Sequence, residues 1–371
     1  MIRLSSIIET FAGELMARHG NELLPGHRRA LTAMSNCRIG TGPAMQVQCD
    51  SCGERRLVPH SCGHRSCPHC QHHEGQQWLE RQLRRQVPAD YFLLTFTLPA
   101  ELRALAWRHQ RTLYDLMIRC SWETLRDFSR NDPKLSGNPG AIAVLHTHSR
   151  RLDYHPHVHF AMPAAAIDTG KRLWRTKTAK GKTRFLFSHK ALAKVFRAKM
   201  LNAISQAGLP RPASHPEKWV VDCKYVGSGE KALIYLGRYL YRGVIREKDI
   251  ISCNDGEVTF RYLDSKSRRT KTRTLPGADF LWLILRHVLP KGFRRARNFG
   301  FLHPNSKRLI HLLHLLLRVD ISRASAWLRE RTPITCVCGG GVMKIVRTRM
   351  RRSTQPEADH TTVPVAGTAA M

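Results

Sequence analysis

The sequence predicts an α+β fold in which helices pack on an antiparallel sheet, with a small cysteine-rich module before it and a helical segment after it. Three observations support this prediction. Short β-rich runs alternate with stretches of helical periodicity, five cysteines fall within residues 49–70, and apolar residues make up 42% of the chain. With 371 residues, the chain is long enough to bury at least one sizeable core.

The predicted strands are short apolar segments bounded by turn residues. They cover residues 91–98, 141–148, 155–162 and 219–226, and a further hairpin is predicted within 251–275. Helical periodicity marks residues 1–36 (broken at Pro25-Gly26), 76–88, 100–129, 189–207, 230–242 and 278–330. We therefore expect consecutive domains: an N-terminal helix with the cysteine module over 1–85, the sheet domain over 86–250, a basic hairpin and helical region over 251–345, and a disordered tail over 346–371.

The charge of the chain points to a polyanionic partner. Lys and Arg number 61 against 28 Asp and Glu, which gives a formal net charge of +33. Nucleic acid is the expected partner, although ribosomal-type and merely soluble basic proteins are also cationic. No run reaches the ~18–20 apolar residues of a membrane span, and the start at Met1-Ile2-Arg3-Leu4 lacks a secretion signal. We expect a cytoplasmic bacterial protein associated with the nucleoid, with no membrane partner and an undefined oligomeric state.

The cysteine module carries two C-x2-C pairs. Cys49 and Cys52 form the first, Cys67 and Cys70 the second, with 14 residues between Cys52 and Cys67. Two such pairs supply the four thiolates of a closed, structural Zn²⁺ site, which is the site we predict here. Cys62 is left over: it replaces a ligand, joins a second ion, or is simply buried. The C-terminal Cys336-Val-Cys338 has no partner pair in the sequence.

Histidines concentrate around the strand at residues 155–162. Five of them occupy the fourteen positions 146–159, and His157 and His159 are two residues apart. Alternate side chains of a strand share a face, so these two imidazoles can hold one divalent ion. The preceding strand offers His146 or His148 as a third ligand, and we prefer His146. A lone histidine is more often a core or surface residue, but the period-2 placement argues against that reading here.

The helix predicted at residues 230–242 places tyrosines away from its apolar stripe. At about 100° per residue, Leu233, Leu236 and Leu240 form the buried stripe, whereas Tyr235 and Tyr239 are one turn apart on the other side. A tyrosine hydroxyl is a suitable nucleophile for a phosphodiester when a metal ion offsets the phosphate charge. Two tyrosines on a helix, taken alone, would indicate only residues at the border of its apolar face. The histidine strand and the net charge favour the interpretation that these tyrosines are nucleophiles.

Basic residues cluster in three runs, Lys171–Arg184, Lys266–Arg273 and Lys291–Arg297. A basic run is commonly just a solvated face, but together these runs predict a DNA-binding groove, in which Trp174 and Phe293 would stack on bases. The candidate DNA contacts are Arg238, Arg268, Arg269, Lys271, Arg294, Arg295 and Arg297.

In combination, these segments resemble the HUH superfamily of single-strand nucleases, and more closely the transposases of the insertion sequence 91 family found in bacterial rolling-circle elements. The similarity covers most of the chain. The segments that carry it are Ser61-Cys62, Arg65–Cys70, Phe92–Leu98, Leu145–Thr147, His155–His159, Tyr235–Tyr239, His287–Phe293 and Arg294–Gly300.

This resemblance implies a fold, an activity and cofactors. It implies an HUH nuclease domain in which Tyr235 and Tyr239 are paired nucleophiles and His157 and His159 hold Mg²⁺ or Mn²⁺. The enzyme would cut one strand at each end of a mobile element through a 5′-phosphotyrosine, acting on single-stranded DNA and on no small molecule. Two features depart from the family: Cys336-Val-Cys338 stands where relatives often have C-x-x-C, and some relatives keep a single tyrosine.

Two other functions fit parts of the sequence. A rolling-circle replication initiator, a relaxase-like nickase, would use the same chemistry, but the N-terminal zinc block favours the transposase. A non-catalytic zinc DNA-binding protein would use the histidines and tyrosines only structurally.

Overall fold

The computed structural model describes residues 2–39, 43–168, 170–178, 185–212, 214–241, 243–264, 267–322 and 333–350. The chain divides into two compact units. The larger unit is formed by Met1–Ser35 with Cys62–Glu330, and the smaller by Asn36–Ser61 with Arg331–Met371. This division differs from the consecutive domains that we predicted, because the smaller unit combines an early and a late segment of the chain.

The helices all belong to the larger unit and follow the predicted periodicity closely. They are α1 Leu4–His19, α2 Pro25–Ser35, α3 His72–Leu83, α4 Arg103–Arg108, α5 Gln110–Asn131, α6 His189–Gln206, α7 Glu230–Tyr241, α8 Gly277–Leu285 and α9 Lys307–Leu316. Among the described residues, no helix has both the length and the apolar character needed to cross a membrane.

In the described part of the chain, the strands form three sheets. They are β1 Ala44–Cys49, β2 Arg55–Pro59, β3 Tyr91–Thr97, β4 Asn138–His148, β5 Tyr154–Pro163, β6 Ala165–Asp168, β7 Leu173–Thr176, β8 Val221–Tyr225, β9 Ile250–Asn254, β10 Glu257–Leu263, β11 Thr270–Pro276, β12 Ala296–Gly300 and β13 Met343–Met350. The main sheet has the order β7-β6-β4-β5-β3-β8, with β12 also paired to β4. Its β3, β4, β5, β8 and β12 pairings are antiparallel, which confirms the predicted α+β class with the histidine strand β5 inside the sheet.

Helices cover both faces of the main sheet. On one face Phe96 and Phe160 pack edge-to-face, and Phe96 meets Phe196 of α6 at 5.0 Å between ring centroids. On the other face the leucine stripe of α7 packs with Trp78 and Leu79 of α3 and with Val144 of β4. Each fully buried apolar side chain contributes about 1.5–3 kcal/mol to the free energy of folding. These layers therefore hold α7 against β4.

The region after α7 differs in part from its prediction. The hairpin expected within 251–275 is a three-stranded sheet of order β11-β10-β9. The stretch expected to be helical over 278–330 contains β12, which pairs with β4 from Ala296↔Val144 to Gly300↔Gly140. Phe299 of β12 stacks on Trp122 of α5 with ring centroids 4.9 Å apart, so tertiary packing determines this strand.

The smaller unit is built on a sheet of order β13-β1-β2. Its buried apolar cluster consists of only Val47, Cys49, Cys336 and Met343, with Val58 packed against it. The strand β13 corrects the prediction of a disordered tail from residue 346, because residues up to Met350 pair with β1. Residues 351–371 lie outside the described part of the chain.

Candidate active site and metal centres

Three histidines of the larger unit meet in the middle of the main sheet. In the register of β4 and β5, His146 lies opposite His157 and Val144 opposite His159. One nitrogen from each ring falls within 4.8 Å of the other two. The predicted strands therefore place His157 and His159 on the face that also carries His146. His146 is the third member of this group, whereas His148 is not.

The polar neighbours of the triad leave nitrogens available for a cation. Nδ1 of His157 donates to the backbone carbonyl oxygen of His155 at 2.7 Å, and Nδ1 of His159 lies 2.9 Å from Oγ1 of Thr95. Nε2 of His146 is buried and has no hydrogen-bond partner among the described residues. An unpaired buried nitrogen is costly unless a ligand satisfies it, so the triad fits a bound cation.

The triad is electrically neutral near pH 7. Burial, followed by the neighbouring imidazoles, lowers the pKa of His146 and His157 well below the ordinary value, and burial lowers the pKa of His159 to about 4. Neutral imidazoles keep the lone pair that a metal ion needs. A cation bound here would therefore keep its full positive charge.

The two predicted tyrosines of α7 lie beside this triad but in different surroundings. The side chain of Tyr235 is 45% exposed, and its ring centroid lies 5.9 Å from that of His146 and 5.8 Å from that of His159. Burial of the rest of the side chain, with a smaller contribution from Tyr239, raises the pKa of the Tyr235 phenol. Tyr235 thus presents a protonated hydroxyl at the edge of the histidine site.

Tyr239 is held by several contacts with residues that are distant in sequence. Its ring stacks on His146 with a centroid separation of 3.2 Å, and its hydroxyl oxygen accepts a hydrogen bond of 3.0 Å from the backbone N–H of Thr147. The guanidinium of Arg295 lies 4.7 Å above the ring, within cation–π range. Arg295, one of the predicted DNA contacts, also donates to the carbonyl oxygen of Leu145 and so contacts both β4 and the tyrosine helix.

Glycines bring α7 this close to the sheet. Gly229 precedes the helix with φ +98°, and a Cβ there would lie 2.6 Å from the ring of Tyr91. Inside the helix, a Cβ on Gly237 would meet the ring of Trp78 at 3.2 Å. The Gly227-Ser-Gly229 turn and the small face of α7 therefore set the distance between the tyrosines and the histidine triad.

Both tyrosines line a basic cleft of about 750 Å³, which we call the catalytic cleft. Its cationic lining consists of Arg150, Arg238, Arg246, Lys248 and Arg261. Asp249, the one acid among the described residues of the lining, pairs with Arg246 and with Arg261. The excess positive charge suits a phosphate backbone, and Arg238, one of the predicted DNA contacts, lines this cleft.

The other predicted DNA contacts separate into two places. Arg268, Arg269 and Lys271 lie at the β10–β11 end, where Thr270 lines the catalytic cleft and Lys271 pairs with Asp264 at 3.6 Å. Arg294 and Arg297 line a second basic cleft of about 900 Å³, together with Arg81, Arg85, Arg111 and Lys307. Arg297 also pairs with Asp115.

Of the two aromatic residues expected to stack on bases, Phe293 is buried and Trp174 is partly buried, and each packs on another aromatic ring of the protein. Phe293 is 3% exposed and packs edge-to-face on Tyr114, and Trp174 lies against Phe301. The predicted basic runs extend over residues 179–184 and 266, which lie outside the described residues.

The cysteines group differently from the single four-thiolate site that we predicted. Cys67 and Cys70 group with Cys62 in the larger unit, where Sγ of Cys62 and Sγ of Cys70 are 3.6 Å apart. Cys49 and Cys52 group instead with Cys336 and Cys338 in the smaller unit. The correction has a physical cause: C-x2-C spacing fixes which thiols form a pair, but tertiary contacts decide which pairs meet. Sequence spacing alone does not identify a partner pair for Cys336 and Cys338.

A histidine triad within an antiparallel sheet, with a tyrosine helix packed across it, defines the HUH class of fold. Residues 140–309 match the family described as "Putative transposase" (Y2_Tnp), and residues 7–98 match "Transposase zinc-binding domain". The chain is 32% identical over 313 residues to "Putative transposase y4qJ" of Sinorhizobium fredii, covering 78% of each protein. It is 29% identical to "Transposase for insertion sequence element IS801" of Pseudomonas savastanoi pv. phaseolicola, covering 68% of this chain and 64% of that protein. The chain belongs to the insertion sequence 91 family of transposases.

Solved structures of the conjugative relaxase TrwC with DNA are distant neighbours. One covers 61% of this chain and 74% of that chain at 15% identity, with a TM-score of 0.26. A metal-free TrwC complex gives a TM-score of 0.27 at 13% identity, covering 62% of this chain and 73% of that chain.

Proposed function

We propose that this transposase cuts and rejoins single DNA strands at the ends of a mobile element through a 5′-phosphotyrosine intermediate, as rolling-circle transposition requires. The observation that carries the proposal is the position of Tyr235, exposed in a basic cleft beside three neutral histidines, of which His146 and His159 are buried. We place this activity in the bacterial cytoplasm, at the nucleoid, where the DNA is.

We assign Tyr235 as the first nucleophile. Its oxygen attacks the scissile phosphorus and gives up the phenol proton to solvent, the bond between phosphorus and the 3′ oxygen breaks, and the released 3′ oxygen takes up a proton from solvent. The phosphotyrosine conserves the energy of the broken bond for the later rejoining step. Tyr239 serves in the second transfer, after the hydrogen bond from the N–H of Thr147 to its hydroxyl breaks.

A divalent cation held by His146, His157 and His159 would supply the positive charge that polarises the scissile phosphate. Mg²⁺ and Mn²⁺ are the candidate ions, and three imidazole ligands favour Mn²⁺, because Mg²⁺ prefers oxygen ligands and keeps its waters. The protein residues orient this site: the carbonyl of His155 and the hydroxyl of Thr95 hold two of the rings. Arg150 and Arg238 would bind flanking phosphates of the strand.

A covalent-capture experiment tests this assignment. A labelled single-stranded oligonucleotide carrying an end of the element is incubated with protein and Mn²⁺ or Mg²⁺, then run on a denaturing protein gel. Wild type should give a shifted, labelled band. Tyr235→Phe should abolish the band, because the phenyl ring keeps the packing but removes the attacking oxygen. Tyr239→Phe should retain first cleavage and lose the second transfer.

Tyr241→Phe is the matched control, since Tyr241 lies on the same helix but packs against Trp78, away from the histidines. It should leave the covalent band unchanged. A band that persists in Tyr235→Phe and disappears in Tyr239→Phe would reverse the order of the nucleophiles. Absence of any covalent band in wild type, with DNA binding intact, would favour a non-catalytic DNA-binding protein.

A further inference from the structure

Four cysteines of the smaller unit surround one point, although they come from opposite parts of the chain. Sγ of Cys49 lies 3.8 Å from Sγ of Cys338, and Sγ of Cys52 lies 3.7 Å from Sγ of Cys336. All four sulfur atoms fall within 4.8 Å of one another. We call this group the terminal thiol cluster.

The spacing of the terminal thiol cluster matches a tetrahedral metal site. A Zn–S bond of about 2.3 Å places the corners of a tetrahedron about 3.8 Å apart. A disulfide would bring two sulfurs to about 2.05 Å, and none of these cysteines is in one. Four thiolates form the closed ligand set of a structural ion, without an open position for a substrate.

The backbone around the thiols is shaped for this arrangement. The N–H groups of Ser51 and Cys52 donate to Sγ of Cys49 at 3.4 and 3.5 Å, which orients the sulfur and stabilises its anionic form. The carbonyl of Val342 accepts from the N–H of Asp50, whose carboxylate accepts from the N–H of Val342. These bonds tie the N-terminal knuckle to the C-terminal loop.

Gly341 permits the close approach of the two segments. A Cβ at this position would overlap Sγ of Cys49 and would lie 2.7 Å from Cβ of Ser51. The loop that carries Cys336 and Cys338 is thus fitted to the first knuckle at van der Waals contact.

In the described part of the smaller unit few apolar side chains are buried, which favours a structural ion. The buried apolar group of Val47, Cys49, Cys336 and Met343 is far smaller than a core that is stable by itself. Two of its four members, Cys49 and Cys336, also belong to the terminal thiol cluster. Small modules of this kind are ordinarily held together by a structural metal.

We propose that Cys49, Cys52, Cys336 and Cys338 form a structural zinc site that closes the C-terminal strand β13 onto the N-terminal strands β1 and β2. Cys336 and Cys338 lie outside both matched segments, 7–98 and 140–309, so the C-terminal half of this site extends beyond the recognised zinc-binding domain. The site does not depend on the proposed strand transfer, and its test uses no cleavage assay.

Thiol protection in the wild-type full chain is the first test. Cys52 and Cys338 are exposed, so an alkylating reagent should modify them rapidly unless a metal ion holds the sulfur. In zinc-loaded protein, all four thiols should resist alkylation by N-ethylmaleimide. After a chelator removes the zinc, all four should become reactive together, as measured by mass spectrometry of peptides. Rapid alkylation of Cys336 and Cys338 in zinc-loaded protein, with Cys49 and Cys52 protected, would overturn the site.

Zinc content of cysteine variants is the second test. The double variants C49S/C52S and C336S/C338S should each lose one zinc per chain, and the quadruple variant should lose that same single ion. C253S is the matched control, since Cys253 lies on β9 outside the thiol groups, and it should keep the wild-type content. If C67S/C70S removes the same ion as C49S/C52S, the N-terminal ribbon is the site and the proposal fails.

Discussion

Tyr235 and Tyr239 differ in what other parts of the chain bring to them. Their i, i+4 spacing predicts two equivalent tyrosines on one face of a helix. The structure distinguishes them, because the N–H of Thr147 and the guanidinium of Arg295 both engage Tyr239, whereas Tyr235 remains exposed. Helical periodicity alone could not reveal this difference, since both partners are distant in sequence.

Buried neutral histidines make the stability of the protein depend on pH. His27 packs between Trp107 and Trp282, and burial lowers the pKa of His27 to about 4. The unfolded chain, with an imidazole pKa near 6.5, binds the proton first, so stability is present above about pH 6.5 and is lost as the pH falls toward 4. For this one group the loss between pH 7 and pH 5 is about 2 kcal/mol.

The variant His27→Asn tests this dependence, because the amide oxygen can still accept the N–H of Leu24. We expect the free energy of unfolding, measured by chemical denaturation at several pH values and fixed zinc, to fall less steeply with acidification in the variant. His72→Asn, at an exposed position on α3, should keep the wild-type slope. Equal slopes in wild type and His27→Asn would show that His27 does not contribute.

At the scale of elements, the sequence predicted those with a strong local pattern. The histidine strand, the tyrosine helix and the strand at Tyr91–Thr97 have clear periodicity and clear boundaries. The strand β12 was missed because Ala296–Gly300 shows no alternation of apolar residues and owes its conformation to β4 and Trp122. The cysteine partners were missed for a similar reason, because the ligands of a metal site are distant in sequence and meet only in the folded chain.

The turn before α7 sets the position of the tyrosines, and a pair of glycine variants tests it. Gly227→Ala and Gly229→Ala both place a side chain at positive φ, which costs about 1 kcal/mol. Only at Gly229 does the added Cβ also collide with Tyr91, since Gly227 has nothing within 4 Å. We therefore expect a larger fall in melting temperature, and a larger loss of the covalent DNA band, for Gly229→Ala. Equal behaviour of the two variants would contradict a steric role for Gly229.

Part of the net charge of +33 lines two basic clefts of the larger unit. Two basic clefts carry much of the arginine that sequence analysis expected to contact DNA. Affinity for DNA should therefore depend strongly on salt, because each neutralised phosphate releases condensed counterions.

Arg150→Ala and Arg238→Ala should each weaken binding of a fluorescent single-stranded oligonucleotide. Each should reduce the slope of log affinity against log salt by about 0.7, as expected for one lost phosphate contact on a single strand. Arg18→Ala, on α1 and paired with Glu14, should change neither affinity nor slope in the same anisotropy titration. An unchanged slope for Arg150→Ala and Arg238→Ala would place the strand outside the catalytic cleft.

The pairing of β13 with β1 has a consequence for synthesis of the protein. Cys49 and Cys338 are 289 residues apart, so β1 leaves the ribosome long before β13, its partner strand in the smaller sheet, is synthesised. Until then β1 has an open hydrogen-bonding edge, and its two thiols lack their partners. A premature stop anywhere before residue 336 leaves this edge exposed. Translation of the last strand is therefore the event that completes the N-terminal module.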